Sequence, residues 1–200
     1  MKKYTDLSLE QYLEELSSPE PVPGGGSVSA YVASLGMALT EMVGRVAFKR
    51  KIKAGLTQEE IKKEEQNRNT IQEILKSLEK TKRDAFQIVN LDPQIFQGVM
   101  EASGKKDQME DALENSFRLQ ADLAFLVVMA KEWNRALAEI VTGSIKNDLL
   151  VSASLLEAAF HGAYHTAMIN VKYMSRPESK ARAEEALDKL KKRFVKGASE

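Results

Sequence analysis

Cysteine is absent from the 200 residues, which excludes disulfide frameworks, thiolate metal sites and cysteine nucleophiles together and fits a reducing cytoplasm. Aromatic residues make up only 6% of the chain, too few beside the basic runs to suggest stacking on nucleic-acid bases. An excess of one charge is lacking too. Lysine plus arginine and aspartate plus glutamate number 29 each, so no net positive field draws in phosphate backbones or anionic lipid. Local runs, Lys49-Arg50-Lys51 with Lys53, and Lys189, Lys191, Lys192 and Arg193, read as solvated helix faces. Uninterrupted apolar runs of membrane-spanning length are missing: residues 28–48 contain Glu41 and Arg45, and residues 149–169 contain Glu157, His161 and His165. Met1-Lys2-Lys3 leads into a mixed amphipathic stretch rather than the apolar core of a secretory signal. The expectation is a cytoplasmic protein with neither nucleic acid nor membrane as partner.

What is present is ordinary globular material, 43% hydrophobic and 29% charged, enough for one domain over residues 1–200. Every long segment has helical period, and none alternates strictly enough to argue for a strand. Ser8 is a plausible N-cap for a first helix to Leu16, with Leu9, Tyr12, Leu13 and Leu16 as its apolar stripe. A second helix is predicted from Ser27 to about Lys53. Its Ser29, Ala30, Ala33, Ser34, Gly36, Ala38 and Gly44 keep its surface low, so neighbouring backbones can approach. Thr57 and Glu60 form a capping box for a third helix, with Ile61, Ile71, Ile74, Leu75, Leu78, Phe86 and Val89 on its buried side. Asp92-Pro93 is expected to break that helix near Leu91, leaving a short piece to Ser103. A fourth helix follows from Lys106 to Val141, stopped by Gly143. Asn147 or Asp148 caps a fifth that reaches Tyr173, and a sixth from Pro177 to Lys196 has Ala183, Leu187, Leu190 and Phe194 inside. The fold class read from this is all-α: a mainly antiparallel multi-helix bundle with a buried small-residue central helix. The second and fifth helices carry more apolar surface than one such bundle fills, which points to a homodimer.

The most specific motif is Pro21-Val22-Pro23-Gly24-Gly25-Gly26-Ser27. Two prolines stiffen the approach, the glycines admit positive φ, and Ser27 opens a helix whose first N–H groups lack internal acceptors. A carboxylate or polar heterocycle suits such donors and the positive end of the helix dipole. The motif lacks the Gly-Lys-Ser ending of a Walker loop and follows no strand. The alternative is that the glycines serve close packing alone.

This loop, the small-residue helix after it through Leu35-Gly36, Met42-Val43 and Arg45, then Ala85-Phe86 and Ile169-Asn170-Val171-Lys172, resemble the folate-dependent cyclodeaminase and methenyltetrahydrofolate cyclohydrolase domain found in formiminotransferase-cyclodeaminase. The resemblance covers roughly residues 7–175. It implies an all-helical homodimeric enzyme of one-carbon metabolism, acting on a tetrahydrofolate derivative as substrate in a cleft between subunits near the loop, with no metal. Carried onto this chain, Pro23, Gly24, Gly25, Gly26 and Ser27 would bind the ligand, and Arg45 with a basic cluster would hold its glutamate tail. The family's proton-donating aspartate, four residues before the Ala-Phe phenylalanine, is replaced here by Lys82, with Asp84 the nearest acid but about 200° around the helix. Lys82 could bind the tail, transfer protons, or be a plain solvated lysine. The family's asparagine-rich turn is shortened to Gly143-Ser144-Ile145-Lys146-Asn147-Asp148.

The only two histidines, His161 and His165, share a helix face with Glu157 and Lys172. A histidine of ordinary pKa is a competent base at neutral pH, so either could replace the missing acid. With Glu157 they could instead ligate zinc, or simply line a cleft. The catalytic candidates are therefore His165, His161, Asp84 and Lys82; the competing readings are a divergent family member that binds or assembles without this catalysis, and a metal-dependent enzyme.

Overall fold

The structure is a computed structural model that describes residues 2–50 and 55–196. A 3₁₀ turn, Tyr4–Asp6, precedes α1 (Leu9–Ser17), α2 (Gly25–Lys49), α3 (Gln58–Glu101), α4 (Lys106–Ile140), α5 (Lys146–Tyr173) and α6 (Pro177–Lys196), with no strand among the described residues. The predicted caps of the first and third helices form: Ser8 exchanges hydrogen bonds with Gln11, and Thr57 with Glu60. Neither Asn147 nor Asp148 caps α5, whose N-cap is Ile145. Asp148 lies in the first turn, where its charge faces the positive end of the helix dipole. The expected extension of the second helix, with Lys51 and Lys53, falls outside the described residues.

Helices α2 to α5 form a square bundle in which α2 packs along α3 and α5, and α4 along the same two from the opposite corner. Neighbours run antiparallel. On α2 and α3, Ser27 meets Val89 while Glu41 meets Lys82; on α2 and α5, Thr40 meets Ser152 while Gly25 lies beside Thr166. Leu78, Leu123, Val127, Leu137, Leu156 and Phe160 fill the centre. The small surface of α2 works as read from the sequence: a β-carbon at Gly36 would stand 3.0 Å from Leu156 Cγ and 3.3 Å from the Ser152 carbonyl oxygen, so α5 lies directly against α2. Between them the Thr40 and Ser152 hydroxyls are 2.6 Å apart. Asn134 donates to Thr40 Oγ1 at 2.9 Å and to the Leu149 carbonyl at 3.2 Å, which pairs the buried polar atoms of this layer. Helix α6 lies on α4 and α5, with Ala183, Leu187 and Phe194 inward.

Three expectations need correction. First, α3 is not broken at Asp92-Pro93; it runs through both residues to Glu101. Proline removes one N–H and leaves the carbonyl four residues back without its helical donor. That carbonyl belongs to Val89, and the Ser27 hydroxyl of α2 donates to it at 2.9 Å. A side chain from another helix thus replaces the missing hydrogen bond. Second, α1 buries only Tyr12, leaving Leu9 and Leu13 exposed, and Phe86 on α3 is likewise open. Third, α2 is not enclosed on all sides by its own chain: Leu35, Met42 and Val46 remain partly exposed, as do Val151 and Ile169 on α5.

Candidate functional site

The glycine loop delivers the chain into α2 at Gly25, two residues earlier than Ser27, with Gly24 as N-cap and Val22–Pro23 cis. None of its three glycines has positive φ; those are Gly55, Gly104 and Gly143. Conformational freedom is therefore not why the loop is glycine-rich. At Gly26 the reason is space, because a β-carbon there would lie 2.1 Å from Asp92 Oδ1 and 2.3 Å from Gln120 Nε2. At Gly25, which is exposed, the nearest atom to such a carbon would be Thr166 Oγ1 at 3.6 Å, an ordinary contact.

What presses against Gly26 is a buried carboxylate. Asp92 Oδ2 accepts from the Ser27 N–H at 2.9 Å and Oδ1 accepts from Gln120 Nε2 at 2.7 Å. Asp92 thus caps α2 from α3, supplying an acceptor and a negative charge where the helix has spare donors and a positive dipole end. The Ser27 hydroxyl, having donated to Val89, accepts from the Tyr12 hydroxyl at 3.1 Å, so α1 is tied to the same point. Burial pushes the Asp92 carboxyl above the usual aspartate range; the bonds from Ser27 and Gln120 pull it back only in part. Gln120 Oε1 is the one buried side-chain oxygen or nitrogen without a hydrogen-bond partner among the described residues. Neither the Gly25 nor the Gly26 N–H has a protein acceptor among them. One end of the bundle therefore combines free helix-terminal donors with a carboxyl that holds its proton more readily than aspartate in water.

Lys82 and Arg45 are elsewhere on α2 and α3. Glu41, only 4% exposed, receives hydrogen bonds from Lys82 Nζ at one oxygen and from Arg45 Nε, at 2.9 Å, at the other. Burial pushes the Glu41 carboxyl up, but the two cations more than offset this and hold it below its ordinary value. Lys82 is accordingly not a plain solvated lysine. Together with Ala38, Met42, Val46 and Lys49 these groups line an open depression of about 300 Å³. By helix rise it is roughly 25 Å along α2 from the loop. Asp84 points to neither place and pairs with Lys80 at 2.6 Å. His161 and His165 lie on the side of α5 that faces α4 and α6, beside Lys131, Lys191 and Phe194. Glu157, His161 and His165 do not assemble as ligands: among the described residues no three His, Asp or Glu side chains are gathered to hold a metal ion. Sequence reading missed Asp92 because its pairing with Pro93 signalled a break. The available signal was register: Ala85, Ile88, Val89 and Asp92 repeat at core spacing, so an acid stands where the helix faces inward.

A family model described as formiminotransferase-cyclodeaminase matches residues 8–189. The chain belongs to the formiminotransferase-cyclodeaminase family. Formimidoyltransferase-cyclodeaminase of Mus musculus is 28% identical over 181 residues, covering 85% of this chain and 31% of the relative. The protein of the same name from Gallus gallus is 27% identical over 203 residues, covering 96% of this chain and 35% of the relative. The chain thus spans about a third of the length of the curated relatives it matches. The crystal structure of formiminotetrahydrofolate cyclodeaminase from Thermotoga maritima superposes with a TM-score of 0.86 at 23% identity, over 98% of this chain and 93% of that one. The cyclodeaminase fold is therefore shared, including the continuous bundle into which the loop opens.

Two results are expected from this geometry. Gly26→Ala forces Asp92 and Gln120 apart and should lower stability by about 2–4 kcal/mol in urea titrations, whereas Gly25→Ala should change it by less than about 0.5 kcal/mol. Asp92→Asn should alter the pH dependence. The folded chain holds the Asp92 proton more tightly than the unfolded chain, whose value is near 3.8. Ionising this group therefore costs stability as pH rises through its folded-state pKa. Wild-type stability measured relative to Asp92→Asn should fall between about pH 4 and pH 7.

Proposed function

We propose that this chain acts on a reduced folate, as a cyclodeaminase or methenyltetrahydrofolate cyclohydrolase, with its ligand at the α2 N-terminus. The observation carrying this reading is the buried Asp92 carboxyl held 2.9 Å from the Ser27 N–H, beside the free amides of Gly25 and Gly26. Either reaction needs proton transfer and little else: water adds to a cyclic amidinium carbon and the ring opens, or ammonia leaves as the ring closes. A carboxyl whose pKa is raised towards neutrality is suited to give and take that proton. Pro23 to Ser27 would orient the heterocycle through backbone donors.

The same reading includes a cytoplasmic homodimer. Leu35, Met42 and Val46 form an exposed apolar stripe on α2, continued on α5 by Val151 and Ile169, and single exposed apolar residues rarely align in this way without a partner. Arg45 and Lys49 lie too far along α2 to share a folate with the loop of their own chain. In an isologous pairing centred near Ala38, the basic end of one α2 meets the loop end of the other. Arg45, Lys49 and Lys82 then hold the glutamate tail of a ligand seated on the partner's loop.

One observation favours a second reading, a member that binds or assembles without this catalysis. Position 82, an acid in the family pattern, is a lysine bound to buried Glu41, which leaves that place without a free proton donor.

Hydrolysis of 5,10-methenyltetrahydrofolate, followed as absorbance loss against a protein-free blank, separates the two. Saturable acceleration is expected, falling by about 10²-fold in Asp92→Asn and lost in Gly25→Val with the helical signal intact. No acceleration by folded wild-type protein would establish the non-catalytic reading for this substrate. Light scattering at micromolar concentration should give twice the 22.3 kDa chain mass, and Met42→Glu should return it to the monomer; a monomeric wild type would remove the shared-site arrangement.

A further inference from the structure

A second cavity, of about 210 Å³, opens between α4, α5 and α6, away from the loop and from the Glu41 depression. Its walls are aromatic. Phe160 and Phe194 stack with centroids 3.8 Å apart at 3°, and the edge of His161 meets Phe194 at 5.9 Å. Polar groups reach into it from all three helices: Lys131 from α4, Glu157, His161, Tyr164 and His165 from α5, and Lys191 from α6. Among the described residues none of these six side chains has a hydrogen-bond or ion-pair partner within the protein. Such convergence without pairing is unusual for a merely structural contact, since polar groups brought together normally satisfy one another.

Charge and shape narrow the ligand. Lys131 Nζ lies 3.7 Å from the Phe194 centroid and Lys191 Nζ 5.7 Å from that of Tyr164, so both ammonium groups are held over rings at the cavity rather than extended into water. Two fixed cations stand against the single carboxylate of Glu157. Burial pushes the Lys131 ammonium pKa down, which means that its charge is desolvated without full compensation. An anion in the cavity would relieve that cost. The volume is below the roughly 300–1,000 Å³ of sites for drug-sized ligands, which leaves room for one ring and an acid group, and parallel or edge-on rings suit a flat body.

We infer that this cavity binds a small monocyclic aromatic carboxylate, its ring against Phe160 and Phe194 and its carboxylate between Lys131 and Lys191. The inference is independent of the folate reading. Nothing in it uses the loop, Asp92 or a second copy.

The only two histidines of the chain, His161 and His165, both line the cavity, so their imidazole NMR signals report on it alone. Titrating benzoate into the untagged full chain at constant ionic strength should shift both signals saturably below about 10 mM, with the uncharged isostere benzamide at least tenfold weaker. Lys191→Met, at an exposed position where folding is not at stake, should weaken benzoate about tenfold, and Lys131→Met at least as much. Lys189→Gln, on the same helix but paired with Glu185, should leave affinity within about twofold, and so should Gly25→Val at the loop. Imidazole signals unmoved by benzoate, equal response to benzamide, or undiminished binding in Lys191→Met would each overturn the assignment. Loss of the shifts in Gly25→Val would instead place the bound carboxylate at the loop and overturn it equally.

Discussion

The arrangement depends on an exchange of unsatisfied backbone groups between α2 and α3. Helix α2 begins with donors that have no acceptor, and α3 carries a proline that leaves the Val89 carbonyl without a donor. Ser27 and Asp92 cancel both deficits, the serine hydroxyl donating to Val89 and the aspartate accepting from the Ser27 N–H. Each helix therefore completes the other at one place. The contact is possible only because Gly26 has no β-carbon, since Asp92 Oδ1 and Gln120 Nε2 occupy the space where one would be. Tyr12 extends the network to α1, and Gln120 extends it to α4.

The cost of this closure is a buried aspartate, and that cost is chemically useful. A carboxyl desolvated but bonded by two donors keeps its proton at a higher pH than an exposed one, and it does so beside amides free to orient a ligand. At the far end of α2 the opposite balance holds. Glu41 is equally buried, yet two cations contact it directly and keep it ionised. The two acids of the α2–α3 seam are thus tuned in opposite directions, one towards proton transfer and one towards a fixed ion-pair network between helices. Lys82, where the family pattern has an acid, belongs to the second.

Membership of the formiminotransferase-cyclodeaminase family and a fold superposing at a TM-score of 0.86 on a cyclodeaminase place the loop in a setting where folate chemistry is the natural proposal. The histidines stand apart from that setting. Their face of α5 turns to α6, where cations and stacked rings surround a separate cavity. One helix, α5, therefore serves two surfaces: Ser152, Gly162 and Thr166 lie against α2, while Glu157, His161 and His165 lie under α6.

Sequence by itself determined the local features. Helical period, the Ser8 and Thr57 capping boxes, the low surface of α2 and the inner stripe of α6 depend on residues within a few positions of one another, and all are present in the structure. The family was also legible, because a proline-framed glycine triplet ahead of a small-residue helix is a local pattern. Tertiary structure alone decided the rest. Whether Pro93 ends a helix depends on whether a donor arrives from outside it, and Ser27 is 62 residues away from Val89. Whether Lys82 is solvated depends on Glu41, 41 residues distant. Whether a glycine is needed for its φ or for its missing side chain depends on what packs against it, and at Gly26 that is Asp92. In each case the deciding partner is remote in the chain, and only the folded bundle brings it within hydrogen-bond range.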